Sequence, residues 1–342
     1  MSKKTFVEQV TEDFGDNVLT ASSAIQYVVP TSSLALNVSS GVGGIPKGRF
    51  THIYGPDSAG KTTLGLDIAR NALILGGKVL YLDVEQTLDE GLVESILGEY
   101  KTDDNWLVTM PRSAEDSFII SERAINSAEF DVIIFDSVGA LAPEKEIADD
   151  FGDPHYALVA RLLTTFFKRN AFDVRVNDIA FVFLNQVRAK IGSFIKTFEL
   201  PGGYALKHYA SLAISLFPGE KMEFKKGDPK TAFGKFVKFS FSKNKVGVPH
   251  RSGVFPIVWG EGIHPVRDII EFASNLGVLV QRGPYKSFDD ETLGLGIEKT
   301  VERLTEDTEL LDKIIETCYN VVGVEPKDSL MIVQEETNGK ND

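Results

Sequence analysis

The sequence is poor in several features that would place a protein quickly. It has one cysteine, Cys318, in 342 residues. A single thiol closes no disulfide within the chain and builds no Cys-rich zinc ribbon. Both absences fit a reducing interior. Apolar runs such as 132–135 are strand-sized, well short of the roughly 18 residues that suggest a membrane span. No basic start followed by an apolar stretch marks a signal peptide, so a soluble protein is expected. Positive charge is scarce as well: 36 Lys and Arg stand against 49 Asp and Glu, a net charge of −13. That balance argues against affinity of the whole protein for nucleic acid. Any such binding has to come from local basic segments.

What is present is a chain that is 43% hydrophobic, long enough for one large core with appendages. Residues 1–30 read as a separate arm, with a short helix over 5–14 and a β-branched strand over 25–29 that Pro30 ends. From 31 to 263 strands alternate with helices. Strands are expected at 50–54, Val79–Asp83, 132–135 and 179–184, and a helix at 62–75 with Leu64, Ile68, Ala72 and Leu75 along one face. Strands apolar on both faces belong to a parallel sheet covered by helices on each side. Segments 212–217 and 236–241 lie closer together, and an intervening turn carrying Pro218-Gly219 and Gly227-Asp228-Pro229 is expected between them. They are expected to extend the sheet as antiparallel strands. Residues 264–325 read as a small helix-rich C-terminal domain, and 326–342 as a polar, disordered tail.

The strongest motif is Gly55, Pro56, Asp57, Ser58, Ala59, Gly60, Lys61, Thr62 and Thr63, which fits G-x-x-x-x-G-K-[ST] between an expected strand and an expected helix. Glycines let backbone N–H groups turn inward around phosphate oxygens, and the helix N-terminus adds partial positive charge. Lys61 is expected to reach the β- and γ-phosphates, and Thr62 to offer its hydroxyl to Mg²⁺. Asp136, at the end of an apolar strand, suits the Mg²⁺ shell. A carboxylate near the γ-phosphate can take a proton from the attacking water, and spacing leaves Glu85 and Asp83 as equal contenders. Gln186, at another strand end, suits contact with the γ-phosphate.

Residues 186–208 carry Arg188, Lys190, Lys196 and Lys207 against one acid, Glu199, and interleave them with Ile191, Phe194, Ile195 and Phe198. Cations suit phosphates, and apolar side chains can wedge between bases. A second lysine cluster runs from Lys221 to Lys245, and a solvated face is the simpler reading for most of its members.

Taken together these motifs resemble the bacterial RecA-type recombinases. The likeness is carried by Gly43-Gly44-Ile45-Pro46-Lys47-Gly48-Arg49, by the phosphate loop with its preceding Ile53-Tyr54, and by Asp83-Val84-Glu85-Gln86-Thr87-Leu88-Asp89. It continues in Asp136-Ser137-Val138-Gly139-Ala140-Leu141, in Phe151-Gly152-Asp153-Pro154-His155-Tyr156, and in Asn185-Gln186-Val187-Arg188-Ala189-Lys190-Ile191-Gly192. Gly202-Gly203-Tyr204 and Lys243-Asn244-Lys245 complete it. The resemblance implies an α/β P-loop NTPase core at 31–263, an oligomerisation arm at 1–30, and a small α+β C-terminal domain. It implies a DNA-dependent ATPase that uses ATP and Mg²⁺ and forms a helical homo-oligomeric filament on single-stranded DNA. Such a filament pairs its strand with homologous double-stranded DNA. A single-strand-binding protein and loading mediators would be further partners, in the cytoplasm of a bacterium or a phage-infected cell.

By the same resemblance Glu85 is the base and Asp89 faces adenine. Lys243 and Lys245 reach a neighbour's ATP. Arg161, Lys168, Arg188, Lys190, Ile191, Lys196, Gly202 and Gly203 serve DNA. The sequence departs from the family pattern in Asp149 and Asp150 before the first DNA loop, and in Leu92 where relatives stack an aromatic on adenine. Its tail is less acidic than that of many members. A hexameric helicase with the same core would not be expected to carry Lys243-Asn244-Lys245 or the glycine pair. A non-catalytic mediator paralogue would not need Lys61, Thr62, Glu85 and Asp136 intact.

Overall fold

The structure is a computed structural model that describes residues 27–148, 156–189, 198–199, 201–225 and 227–325, with a few positions among the first twelve. The expected helix at 5–14 falls largely outside the described residues. So do the beginning of the strand expected at 25–29, Asp149, Asp150, most of the first DNA loop, and the tail.

Nine strands build the main sheet: β1 (Arg49–Gly55), β2 (Val79–Asp83), β3 (Trp106–Thr109), β4 (Val132–Asp136), β5 (Ala180–Gln186), β6 (Leu212–Glu223), β7 (Ala232–Asn244), β8 (Ser252–Val258) and β9 (Gly262–Ile263). They lie in the order β9-β8-β7-β6-β1-β5-β4-β2-β3. From β6 to β3 every neighbouring pair is parallel, and β7, β8 and β9 continue in antiparallel pairing. This mixed, mostly parallel sheet is the α/β core the motifs implied. One face is covered by α2 (Lys61–Ile74) and α3 (Glu90–Leu97), where Leu64, Ile68, Ile96 and Leu97 bury against Ile53, Tyr81 and Ile134. The other is covered by α4 (Ala114–Ser127) and α6 (Tyr156–Val176). There Phe118, Phe166 and Phe167 pack with Phe50, Phe135, Phe181 and Phe183. Between α4 and α6 lies the short α5 (Glu144–Ala148).

Two expectations need correction. Pro218 and Gly219 do not turn the chain. They lie inside β6, at a register shift between Pro218 and Lys221. Proline lacks a ladder donor and is tolerated at such bulges. A Cβ on Gly219 would stand 2.7 Å from the Phe236 carbonyl oxygen, so the opposing backbone needs glycine there. In addition, β6 is not antiparallel to everything beside it: it runs parallel to β1 and antiparallel only to β7. Smaller differences are strand ends. β5 begins at Ala180 and runs on to Gln186, past the expected 184.

A third core lies beyond β9. It joins α8 (Pro265–Asn275), α9 (Gly296–Glu306) and α10 (Thr308–Val322) to a small sheet of β10 (Leu279–Arg282), β11 (Tyr285–Phe288) and β12 (Glu291–Leu295). The residue pattern read this segment as helix-rich and did not place these strands, which are four or five residues long and too short for a clear period, whereas the resemblance implied an α+β domain here. Leu34 and Val38 of α1 (Leu34–Ser40) bury in the same core, so a segment early in the chain bridges to its far end. Asp268 of α8 fixes that bridge by accepting from Ser33 Oγ at 3.0 Å and Ala35 N at 3.1 Å. Among the described residues no helix is long and apolar enough to cross a membrane.

Candidate nucleotide and DNA sites

The parallel strands deliver their polar ends to one edge of the sheet. Gly55 is level with Gln186 across β1 and β5, and Asp83 with Asp136 across β2 and β4. In open α/β sheets this carboxyl edge is where ligands bind. The chain leaves β1 at Gly55 and enters α2 at Lys61 through Gly60, whose φ of 91° is left-handed. A Cβ on Gly55 would meet the Leu216 carbonyl oxygen at 2.2 Å, so the loop needs glycine to lie this close to β6.

Lys61 is 8% exposed and folds back on the loop, donating to the carbonyl oxygens of Gly55 at 3.2 Å and Pro56 at 2.9 Å. Burial lowers its pKa, opposed by the charges of Asp57, Asp136 and Glu85. Thr62 Oγ1 donates to Asp136 Oδ2 at 2.9 Å, and the buried Tyr81 hydroxyl donates to the same oxygen at 2.6 Å. Burial raises the Asp136 pKa despite these two bonds, with Glu85 and Asp83 adding to the rise. Burial likewise drives the Tyr81 hydroxyl well above its usual value, which keeps it a donor.

The two carboxylates that spacing left equal have different surroundings. Asp83 is buried and accepts from the backbone N–H groups of Thr87 at 3.2 Å and Leu88 at 3.0 Å, shaping the turn. Glu85 lines an open cavity of about 480 Å³ together with Gln186 and Arg112. Its Oε1 accepts from Gln186 Nε2 at 3.0 Å and, in a short contact, from Ser137 Oγ. Asp89 caps α3, accepting from Leu92 N at 2.8 Å, and Leu92 is turned toward the core. Arg112 escaped the sequence reading because nothing in its neighbourhood repeats a motif.

Lys243 and Lys245 are not brought to this loop. Through Ala213, Lys243 is level with His52, three residues before Gly55, which is about 10 Å back along the strand. Its Nζ donates to the carbonyl oxygens of Lys207 at 2.7 Å and His208 at 2.8 Å, at the end of α7 (Gly203–Tyr209). Burial first, then the charge of Lys245, lowers its pKa to about 8.

Of the expected DNA contacts, Arg161 and Lys168 are exposed on α6, two turns apart and so on one face. Gly202 and Gly203 enter α7 with φ of 88° and 67°. A Cβ on Gly202 would stand 2.7 Å from Leu163 Cδ1 and 2.9 Å from Val138 Cγ1. The buried Asn185 donates to the Pro201 carbonyl oxygen at 2.9 Å, tying the end of β5 to this glycine pair. The backbone at Arg188–Ala189 pairs with that at Phe198–Glu199, which closes the base of the loop between them. Lys190, Ile191 and Lys196 lie outside the described residues.

The RecA N-terminal domain family matches residues 3–264 of this sequence, which includes the phosphate loop, Glu85, Asp136 and the paired lysines. The chain belongs to the RecA family. It is 36% identical over 327 residues to the RecA protein of Geobacter sulfurreducens, covering 94% of this chain and 95% of that one. To the Aquifex aeolicus RecA protein it is 34% identical over 323 residues, 93% and 92% of the two chains. The chromosomal RecA protein of Lactococcus lactis is 33% identical over 336 residues, 97% of this chain and 86% of that one. As a RecA-type recombinase the chain is a DNA-dependent ATPase of recombination and repair.

Proposed function

We propose that this RecA-type chain binds ATP with Mg²⁺ along residues 55–63 and uses hydrolysis to cycle a filament on single-stranded DNA in the bacterial cytoplasm. The observation that carries the reading is the Glu85 carboxylate. It lines a cavity, is held by Gln186, and lies beside the loop whose Thr62 is fixed on Asp136. Glu85 accepts the proton of the attacking water. Gln186, shared between Glu85 and the segment that follows β5, carries the presence of the γ-phosphate to the DNA loop. Lys61 exchanges its two backbone carbonyls for phosphate oxygens.

The donors at Thr62 and Asp136 are both oxygen. That set suits Mg²⁺, which is held by one or two protein oxygens with phosphate and water completing its shell, and which neutralises charge on the phosphates. Asp89, at the start of α3, faces the adenine.

Lys243 and Lys245, too far back to serve their own loop, act on the nucleotide of a neighbouring protomer. DNA lies against Arg161, Lys168, Arg188, Lys190 and Lys196, with Ile191 between bases. Homologous duplex is the second substrate, and a single-strand-binding protein and loading mediators are the further partners. Residues 1–30 serve assembly and 264–325 form an accessory domain. Electron microscopy with single-stranded DNA and a slowly hydrolysed ATP analogue tests the reading. Helical filaments are expected, and closed rings would replace it with a helicase.

A further inference from the structure

The lysine cluster between Lys221 and Lys245 reads in sequence as a solvated face, but one member does not behave that way. Lys235 is half-buried, and its Nζ donates to the Ser58 carbonyl oxygen, inside the phosphate loop, in a short contact. The register explains how it arrives there. On β7, Lys235 is level with Ile257 of β8, and Val237 is two residues further along. Residues in register, or two apart on one strand, share a sheet face. Ile257 Cδ1 and Val237 Cγ2 are the atoms a Cβ on Gly60 would meet, at 2.7 Å and 3.4 Å. The face that carries Lys235 is therefore the face laid against the phosphate loop.

The electrostatics there are unfavourable without an anion. Lys235 is level with Lys221 across β6 and β7, and like charges directly opposite are destabilising. Burial, and then the charge of Lys61, lower the Lys235 pKa. Among the described residues no carboxylate pairs with it. An ammonium has three donors, and the Ser58 carbonyl uses one, so two remain.

We propose that Lys235 is a second phosphate-binding cation of the loop, reaching the diphosphate of the bound nucleotide from the β7 side. This rests on the ATP reading of the loop and deepens it. The sheet order assigns the phosphates. Gln186, Asp136 and Glu85 sit on β5, on β4 and just after β2, all to one side of β1, whereas β7 lies on the other. The hydrolytic end of the nucleotide faces the carboxylates. Lys235 therefore faces the α- and β-phosphates, which ATP and ADP have in common.

The test is the binding of N-methylanthraniloyl-ADP and the corresponding ATP probe to the full chain, without DNA. Lys235→Ala and Lys235→Gln should each weaken both probes by the same factor. About 10- to 100-fold is the loss for one charge-assisted hydrogen bond. Lys235→Arg should stay near wild type. The glutamine variant separates charge from scaffold, because its amide still donates to Ser58. If it restores wild-type binding, Lys235 only braces the loop and the proposal is wrong. Wild-type binding by Lys235→Ala also overturns it, provided Lys61→Ala binds weakly. If Lys61→Ala binds both probes normally, the nucleotide reading of the loop itself fails, and this inference with it.

Discussion

At the scale of single residues, the site separates two carboxylates by what they touch. Asp83 spends its oxygens on backbone N–H groups, whereas Glu85 faces the cavity with Gln186 and Arg112. Glu85→Gln keeps the shape and removes the base. ATP binding should persist and hydrolysis should fall by ~10²–10⁴-fold, as expected for loss of general-base catalysis. Single-turnover hydrolysis measures this, and an unchanged rate would assign the base elsewhere. Lys61 and Thr62 were legible in the sequence because a phosphate loop demands a fixed spacing. Arg112 and Lys235 were not, because each reaches the site from a different strand or loop end with no motif around it.

Among the elements, two contacts between distant segments decide local structure. Gly202 admits α7 close to α6: its φ is 88°, and a Cβ would meet Leu163 and Val138. Gly202→Ala combines backbone strain with a clash, and should cost about 1–3 kcal/mol in denaturant unfolding. On the proposed DNA reading of residues 186–203, single-strand binding should weaken with it. Asp268 anchors α1 to α8. Burial pushes its pKa up to about 7, against the hydrogen bonds from Ala35 and Ser33 that pull it down. The folded value lies above the unfolded one, so the unfolded chain binds fewer protons between about pH 4 and pH 7. Asp268 therefore contributes a loss of stability as pH rises across that window. Unfolding measured at pH 4.5 and pH 7.5 should show wild type losing ground to Asp268→Asn, and a constant difference between the two would refute the linkage. The serine and aspartate at these positions are ordinary in sequence, and only their meeting across 235 residues makes them matter.

For the molecule as a whole, assembly and charge are the quantities to measure. Lys243 has its pKa lowered to about 8 in the free protomer by burial, Lys245 and Lys207. If it meets a neighbour's phosphate on assembly, it must be charged to do so. ATP-dependent filament formation, followed by light scattering, should then weaken as pH rises from about 7 to about 9. Lys243→Arg, which stays charged, should flatten that dependence, and an identical profile for both proteins would remove Lys243 from the interface. The net charge of −13 makes DNA binding depend on a few focused cations. Removing Arg161 and Lys168 together should make the slope of log affinity against log salt shallower by about 0.7 for each phosphate that is no longer neutralised. A salt titration of single-strand binding with an ATP analogue present reads this directly, and an unaltered slope would place the DNA away from α6.

Residue patterning was enough to dictate the parallel core and the phosphate loop, together with their order along the chain. Apolar strands that end in Asp83, Asp136 and Gln186 have one stable arrangement, stacked side by side under helices with their polar ends at a common edge. Local chemistry of that kind survives as spacing. Tertiary packing, by contrast, settled which carboxylate faces the cavity and put Pro218 within a strand. It also set Lys235 against the loop while Lys243 and Lys245 stand well back from it. Those outcomes depend on strand register and on the order β7-β6-β1-β5, in which residues nearly 180 positions apart become neighbours. Register is set by the packing of both sheet faces at once, so no single segment carries it.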